Sequence, residues 1–134
     1  MKRILCFVTA FFLCLSLCAC GNNVKNVKIL EVTSELYLQE DITEAIDTMI
    51  REFDRNWNNC ILNELYYAGD YVTLEHREWA DRYNADETIV LKSMFYVDRA
   101  DGAASMNIGC TYFWEWILVR NNGGKWRLVD YGFC

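Results

Sequence analysis

Residues 41–57 read DITEAIDTMIREFDRNW. Ile42, Ala45, Ile46, Met49, Ile50, Phe53 and Trp57 recur at the i, i+3, i+4, i+7 spacing that lines one face of a helix. Asp41, with Glu44 three residues on, predicts the helix start as a cap and its capping-box partner. Asp47 and Arg51 stand four apart on the opposite side, where such a pair belongs to a solvated surface. The cluster Asn56-Trp57-Asn58-Asn59 predicts the end. A helix with one apolar stripe must bury it against a second layer, and the rest of the chain has to supply that layer.

Downstream the period changes from 3.6 to 2. Cys60–Tyr67 reads as a strand, ended by Gly69-Asp70. Residues 75–83 suit a short second helix with Trp79, Ala80 and Tyr83 inward. Between Thr88 and Val97, Ile89, Leu91, Ser93, Phe95 and Val97 fall on one face, and Val90, Lys92, Met94 and Tyr96 on the other. Residues 99–107 form a loop, 109–120 an aromatic strand and 125–133 a last strand, joined by the hairpin signal Asn121-Asn122-Gly123-Gly124. Residues 27–33 add a short strand. Segregated helices and an antiparallel sheet make an α+β domain: an N-terminal amphipathic helix packed on a curved antiparallel sheet of about four strands.

A two-residue turn at Asn122-Gly123 sets Val119 opposite Trp126, Ile117 opposite Leu128 and Glu115 opposite Asp130. With Phe113 these residues share a face that is wholly apolar near the turn, so this face is expected to meet the helix. The other face carries Trp114, Trp116, Arg120, Lys125 and Arg127. Phe113, Glu115, Trp126 and Asp130 are then the candidate lining of a cavity between sheet and helix. Two facing carboxylates in a cavity push one pKa up, a recipe for an acid/base pair. The competing and blander expectation is that this end of the sheet frays and both are surface charges. His76, without a partner, is expected on a helix surface.

The chain has 134 residues, with 13 Lys+Arg against 19 Asp+Glu. Its net charge of -6 disfavours a phosphate-binding footprint, so no nucleic-acid partner is expected. At 53% hydrophobic and 15% aromatic it is too apolar for a disordered chain. Residues 1–20 read MKRILCFVTAFFLCLSLCAC. Lys2 and Arg3 precede an apolar run broken only by Thr9 and Ser16, too short for a span of ~20 residues. Leu17-Cys18-Ala19-Cys20 resembles a bacterial lipobox, with a small residue before the cut and a thiol after it. The alternative is an ordinary signal peptide that contains cysteines. The lipobox reading assigns 1–19 to a lipoprotein signal peptide, 20–37 to the acylated Cys20 and a tether, and 38–134 to one α+β domain. It places the protein on the extracytoplasmic side of the cell membrane, held there by lipid.

Of seven cysteines, four fall at or before Cys20. Cys60, Cys110 and Cys134 remain, either one disulfide and a thiol or three thiols. No C-x-x-C pair exists, and the lone His76 is far from any Cys in sequence, so neither metal nor cofactor is expected.

Several stretches act together as a signature: Cys60-x-Leu-x-Glu64-Leu65-Tyr66-Tyr67-Ala-Gly-Asp70, Glu78-Trp79-Ala80, Trp114-x-Trp116-Ile117-Leu118-Val119-Arg120, and Gly124-x-Trp126-x-x-Val129-Asp130-x-Gly132. Over residues 38–133 they resemble an uncharacterised domain family of Firmicutes lipoproteins. The resemblance implies a lipid-anchored extracytoplasmic domain, with an element order similar to the cystatin-like and nuclear-transport-factor-2-like α+β folds. Glu115 falls at a variable position of the pattern, so the resemblance lends no support to a carboxylate pair. The function expected is a non-catalytic binding or accessory domain at the outer face of the cytoplasmic membrane. It would hold a small ligand or a protein partner, and homodimerisation through the open sheet is a further expectation. The alternative is a small hydrolase or isomerase using Glu115 and Asp130.

Overall fold

The structure is a computed structural model that describes residues 21–99 and 106–133. A 3-10 turn at Asn22–Val24 leads into β1 (Lys28–Leu30), then α1 (Gln39–Asn56) and β2 (Cys60–Tyr67). Two short helices follow, α2 (Asp70–Glu75) and α3 (Glu78–Arg82). The chain ends with β3 (Glu87–Val97), β4 (Thr111–Arg120) and β5 (Arg127–Phe133). The five strands lie in one sheet in chain order. β1 runs parallel to β2, and every other neighbour is antiparallel. The fold is therefore α+β, and the sheet is mixed and five-stranded rather than antiparallel and four-stranded.

α1 buries its expected stripe. Ile42, Ala45, Ile46, Met49 and Phe53 pack against Leu62, Leu65, Leu91, Phe95, Trp116 and Leu118 from the sheet. The helix begins three residues earlier than the Asp41 cap implied. Leu38 is the capping position, and its side chain has no acceptor. Asp41 instead sits in the first turn, and its Oδ2 accepts the Leu38 N–H at 3.2 Å. Ser34 prepares that entry: its Oγ accepts the N–H groups of Leu36 and Tyr37.

The stretch expected as a tether is part of the domain from Gly21 onward. Val24 is buried in the core, and Lys28–Leu30 extends the sheet beside β2. Asn23 Nδ2 donates to the Phe53 and Trp57 carbonyls, each at 3.3 Å, and so satisfies the end of α1. A β-carbon on Gly21 would run into the Asp54 carboxylate, so this glycine is pressed against the last turn of the helix.

The sheet is covered on both sides at one end. α1 crosses one face, while α2 and α3 lie against β3 and β4 on the other. Thr88, Val90, Ile117 and Val119 are accordingly buried on the face away from α1. The helix expected at 75–83 divides at His76-Arg77. There the His76 ring nitrogen Nδ1 meets the Val72 carbonyl at 2.9 Å. Ala80 is buried as expected, whereas Tyr83 is exposed.

The last hairpin departs from the expected register. The turn itself forms where expected: Asn122 and Gly123 both take positive φ, 52° and 65°, and Gly124 N–H closes onto Asn121 O at 2.8 Å. The ladder then resumes one residue late, with Val119 opposite Arg127 and Leu118 opposite Leu128. A bulge follows, so Ile117 faces Asp130, Trp116 faces Tyr131 and Glu115 faces Gly132. Each one-residue slip reverses which side chains point inward. Apart from the β5 pairing, β4 itself turns the other way: its helix side carries Trp114, Trp116, Leu118 and Arg120, and its outer side carries Phe113, Glu115 and Ile117. This reverses the expected assignment.

Candidate functional site

A cleft of about 470 Å³ opens where α1 ends beside β5. Glu52 and Asn56 come from the last turns of α1, and Trp57 and Asn59 from the exit that follows. Met106 comes from the segment before β4, and Leu128 and Tyr131 from β5. Its aromatic wall is layered. The Tyr131 ring stacks on Trp114 at 5.4 Å and 14° between planes, and meets Trp57 edge to face at 5.1 Å. Trp57 in turn packs edge to face on Trp116 at 4.9 Å. Offset stacks and perpendicular contacts are the favourable aromatic geometries, so the wall is preformed.

The polar groups of the cleft are partly committed. Asn56 Nδ2 donates to the Glu52 carbonyl and carboxylate at 3.1 and 2.9 Å, which fixes the amide and turns Glu52 toward it. Asn59 Nδ2 donates to the Arg99 carbonyl at 3.3 Å, while the Asn59 carbonyl accepts from Asp98 and Arg99. Behind the wall, Trp114 is 8% exposed, and its indole N–H meets no hydrogen-bond acceptor among the described residues. Among the described residues, no Lys or Arg lines the cleft. The arrangement suits a neutral molecule with an apolar face and several hydroxyl or amide groups.

The four residues expected to line a cavity are dispersed. Phe113 lies on the outer side of the sheet and is 57% exposed. Glu115 is on that outer side too, 3.5 Å from Lys92 Nζ and 3.6 Å from His76 Nε2. Asp130 is also outward, opposite Ile117 and diagonal to Glu115 rather than facing it. Trp126 alone is on the helix side, its N–H donating to the Asp41 carbonyl at 3.1 Å. His76 has a carboxylate neighbour that its isolation in the sequence concealed. The cleft residues Glu52, Asn56, Asn59 and Tyr131 were missed. Their one signal was the Asn-rich run 56–59, which reads equally as a helix stop.

The strongest electrostatic node lies at the other end of the helix and serves the fold. Arg120 is 5% exposed. Its Nε meets Glu87 at 2.5 Å and its Nη1 meets Asp41 at 3.1 Å, with Glu44 at 4.0 Å. Its guanidinium lies over the Trp126 ring, 4.2 Å from the centroid. Burial works against the charge, but the hydrogen bonds to Glu87 and Asp41 outweigh it and hold the guanidinium above its ordinary pKa. Beside it, burial and then the Glu87 charge push the Tyr37 phenol up, and its hydroxyl donates to the Thr88 carbonyl at 2.6 Å. Nearby, Asp70 Oδ1 accepts from Ser34 and Tyr67 at 2.6 and 2.7 Å, and Oδ2 from the Glu35 N–H at 2.8 Å. Burial pushes the Asp70 carboxyl up, yet these hydrogen bonds prevail and hold it below its ordinary value. Burial foremost, with the Asp70 bond, pushes Tyr67 up to about 12.

Among the described residues, no group of three His, Cys, Asp or Glu side chains is placed to hold a metal ion. Cys60 is buried and Cys110 exposed, while Cys134 and the lipobox lie outside the described residues. No family model, curated protein sequence or solved structure matches this chain.

Proposed function

We propose that this protein is a lipid-anchored extracytoplasmic binding module, acylated at Cys20, whose cleft beside Tyr131 takes a neutral, amide- or hydroxyl-bearing ligand. The observation that carries the binding reading is the cleft itself. It combines a preformed aromatic wall of Trp57 and Tyr131, backed by Trp114, with the Asn56 and Asn59 amides and the Glu52 carboxylate. The anchoring reading rests on the Leu17-Cys18-Ala19-Cys20 motif behind its basic and apolar leader. Within the α+β class we assign the cystatin-like arrangement, because one long helix lies across an open sheet. The same motifs support kinship with the Firmicutes lipoprotein domains. The hydrolase or isomerase alternative loses its geometric basis, since Glu115 and Asp130 do not face one another.

Two measurements test this. In cell fractionation, the wild-type chain is expected with membranes, and Cys20→Ala in the soluble fraction or as an uncleaved precursor. In a titration with N-acetylglucosamine oligomers, tryptophan fluorescence is expected to change saturably without turnover of the sugar. Asn56→Ala and Tyr131→Ala are expected to abolish the change. Turnover that depends on Glu115 or Asp130 would establish the enzymatic alternative instead.

A further inference from the structure

The topology gives the domain two poles. α1 runs toward one of them and β2 starts back from it, so this near pole gathers Gly21, the end of α1, the end of β3 and the start of β4. β5 also ends there, at Phe133. The far pole holds the start of α1, both short helices and the 121–124 turn. Cys20 is bonded directly to Gly21, and consecutive Cα atoms are only about 3.8 Å apart. Because Gly21 is packed against the last turn of α1 and Val24 is in the core, no flexible spacer separates an acyl group on Cys20 from the near pole.

The two poles differ in charge. Lys25, Arg51, Arg55 and Arg99 are exposed toward the near pole, set against Glu52, Asp54 and Asp98. The far pole exposes the bases Arg77, Arg82, Lys125 and Arg127, but they are outnumbered by the exposed acids Glu35, Glu40, Glu44, Glu75, Glu78, Asp81 and Asp86. Both poles expose apolar side chains. The near pole presents Ile108, Phe113, Tyr131 and Phe133, and the far pole Leu36, Leu38, Tyr71 and Leu74. The balance of charge is what separates them, because an anionic bilayer attracts the near pole, where bases outnumber acids, and repels the far pole, where acids outnumber bases.

We infer that the near pole is a membrane-contact surface, with Ile108, Phe113, Tyr131 and Phe133 set into the headgroup region of an anionic bilayer. Aromatic and aliphatic side chains on both sides of the sheet's end fit that layer, which accepts rings and tolerates polar neighbours. The cleft lies at the same pole, with Tyr131 in its wall, so it opens at headgroup level and the far pole points outward. This orientation rests on the anchoring reading above and adds to it the side that faces the lipid.

The test uses full-length acylated protein in vesicles of phosphatidylglycerol and phosphatidylethanolamine. A nitroxide is attached to the exposed Cys110, with Cys134→Ser to remove the terminal thiol. The control carries the label at Leu74→Cys with Cys110→Ser and Cys134→Ser. Electron paramagnetic resonance power saturation then compares collisions with oxygen, which partitions into lipid, and with a water-soluble nickel chelate. The oxygen-to-nickel ratio is expected to be several-fold higher at Cys110 than at position 74. Equal, water-like ratios at the two positions, or a higher ratio at position 74, would overturn the orientation while leaving the anchor intact. Mass spectrometry separates the two claims: Cys20 without added acyl mass overturns the anchoring itself, and the orientation with it.

Discussion

Arg120 and Asp41, 79 positions apart in the chain, meet at 3.1 Å between Nη1 and Oδ1. The contact joins the last residue of β4 to the first turn of α1, and Glu87 completes it from the adjacent strand. A cation on the helix side of a sheet is costly unless paired, and here two carboxylates and the Trp126 ring hold it.

Arg120→Ala is expected to destabilise the fold by about 3 kcal/mol, since Asp41 and Glu87 then face each other without the cation. Arg120→Lys should recover little, because an ammonium cannot fork between two carboxylates and stack on Trp126. Urea midpoints measure both. A loss under about 0.5 kcal/mol for the alanine variant would show that the node is a solvated surface network.

Phe53→Ala is expected to cost about 3–5 kcal/mol, because the ring is fully buried between α1 and the sheet. Asp47 behaves oppositely. Burial pushes its carboxyl up, so the ionised form is disfavoured in the folded state. Asp47→Asn should therefore be neutral or stabilising by a few tenths of a kcal/mol at neutral pH. Similar losses at both positions in chemical denaturation would mean that the stripe faces elsewhere.

Asn23→Ala is expected to cost about 1 kcal/mol through its two lost bonds to the end of α1. Hydrogen exchange should rise in residues 21–30 before it rises in β3. Unchanged exchange there would contradict the docked start of the domain.

The Tyr67–Asp70 hydrogen bond sets a limit at each end of the pH scale. Asp70 is held below 3.8, so its contribution is present above that pH and lost as the solution is acidified through its folded pKa. Tyr67 is pushed from 10.0 to about 12, so its contribution is complete below pH 10 and lost as pH rises through 12. Thermal unfolding is expected to show a shallower acid slope for Asp70→Asn and a shallower alkaline slope for Tyr67→Phe. Slopes identical to wild type would remove this bond from the pH response.

The sequence by itself determined the elements whose helix-facing residues follow a clear period. The α1 stripe from Ile42 to Phe53 and the inward set Ile89, Leu91, Phe95 and Val97 were legible because period and burial agree. The turn at Asn122-Gly123 was legible because positive φ needs those residues. Tertiary structure alone decided which side of β4 faces the helix. Trp116 to Arg120 are buried without a break, since α1 covers one face and α2 and α3 cover the other. Alternation therefore carried no sign there, and Arg120 looked like a solvent residue until Asp41 and Glu87 arrived from distant segments. The late start of the β5 ladder and its bulge at Val129 moved Asp130 away from Glu115, and neither slip has a local signature. The cleft has the same origin. Glu52, Asn59, Met106 and Tyr131 belong to separate segments, and only the packing of α1 against β5 brings them together.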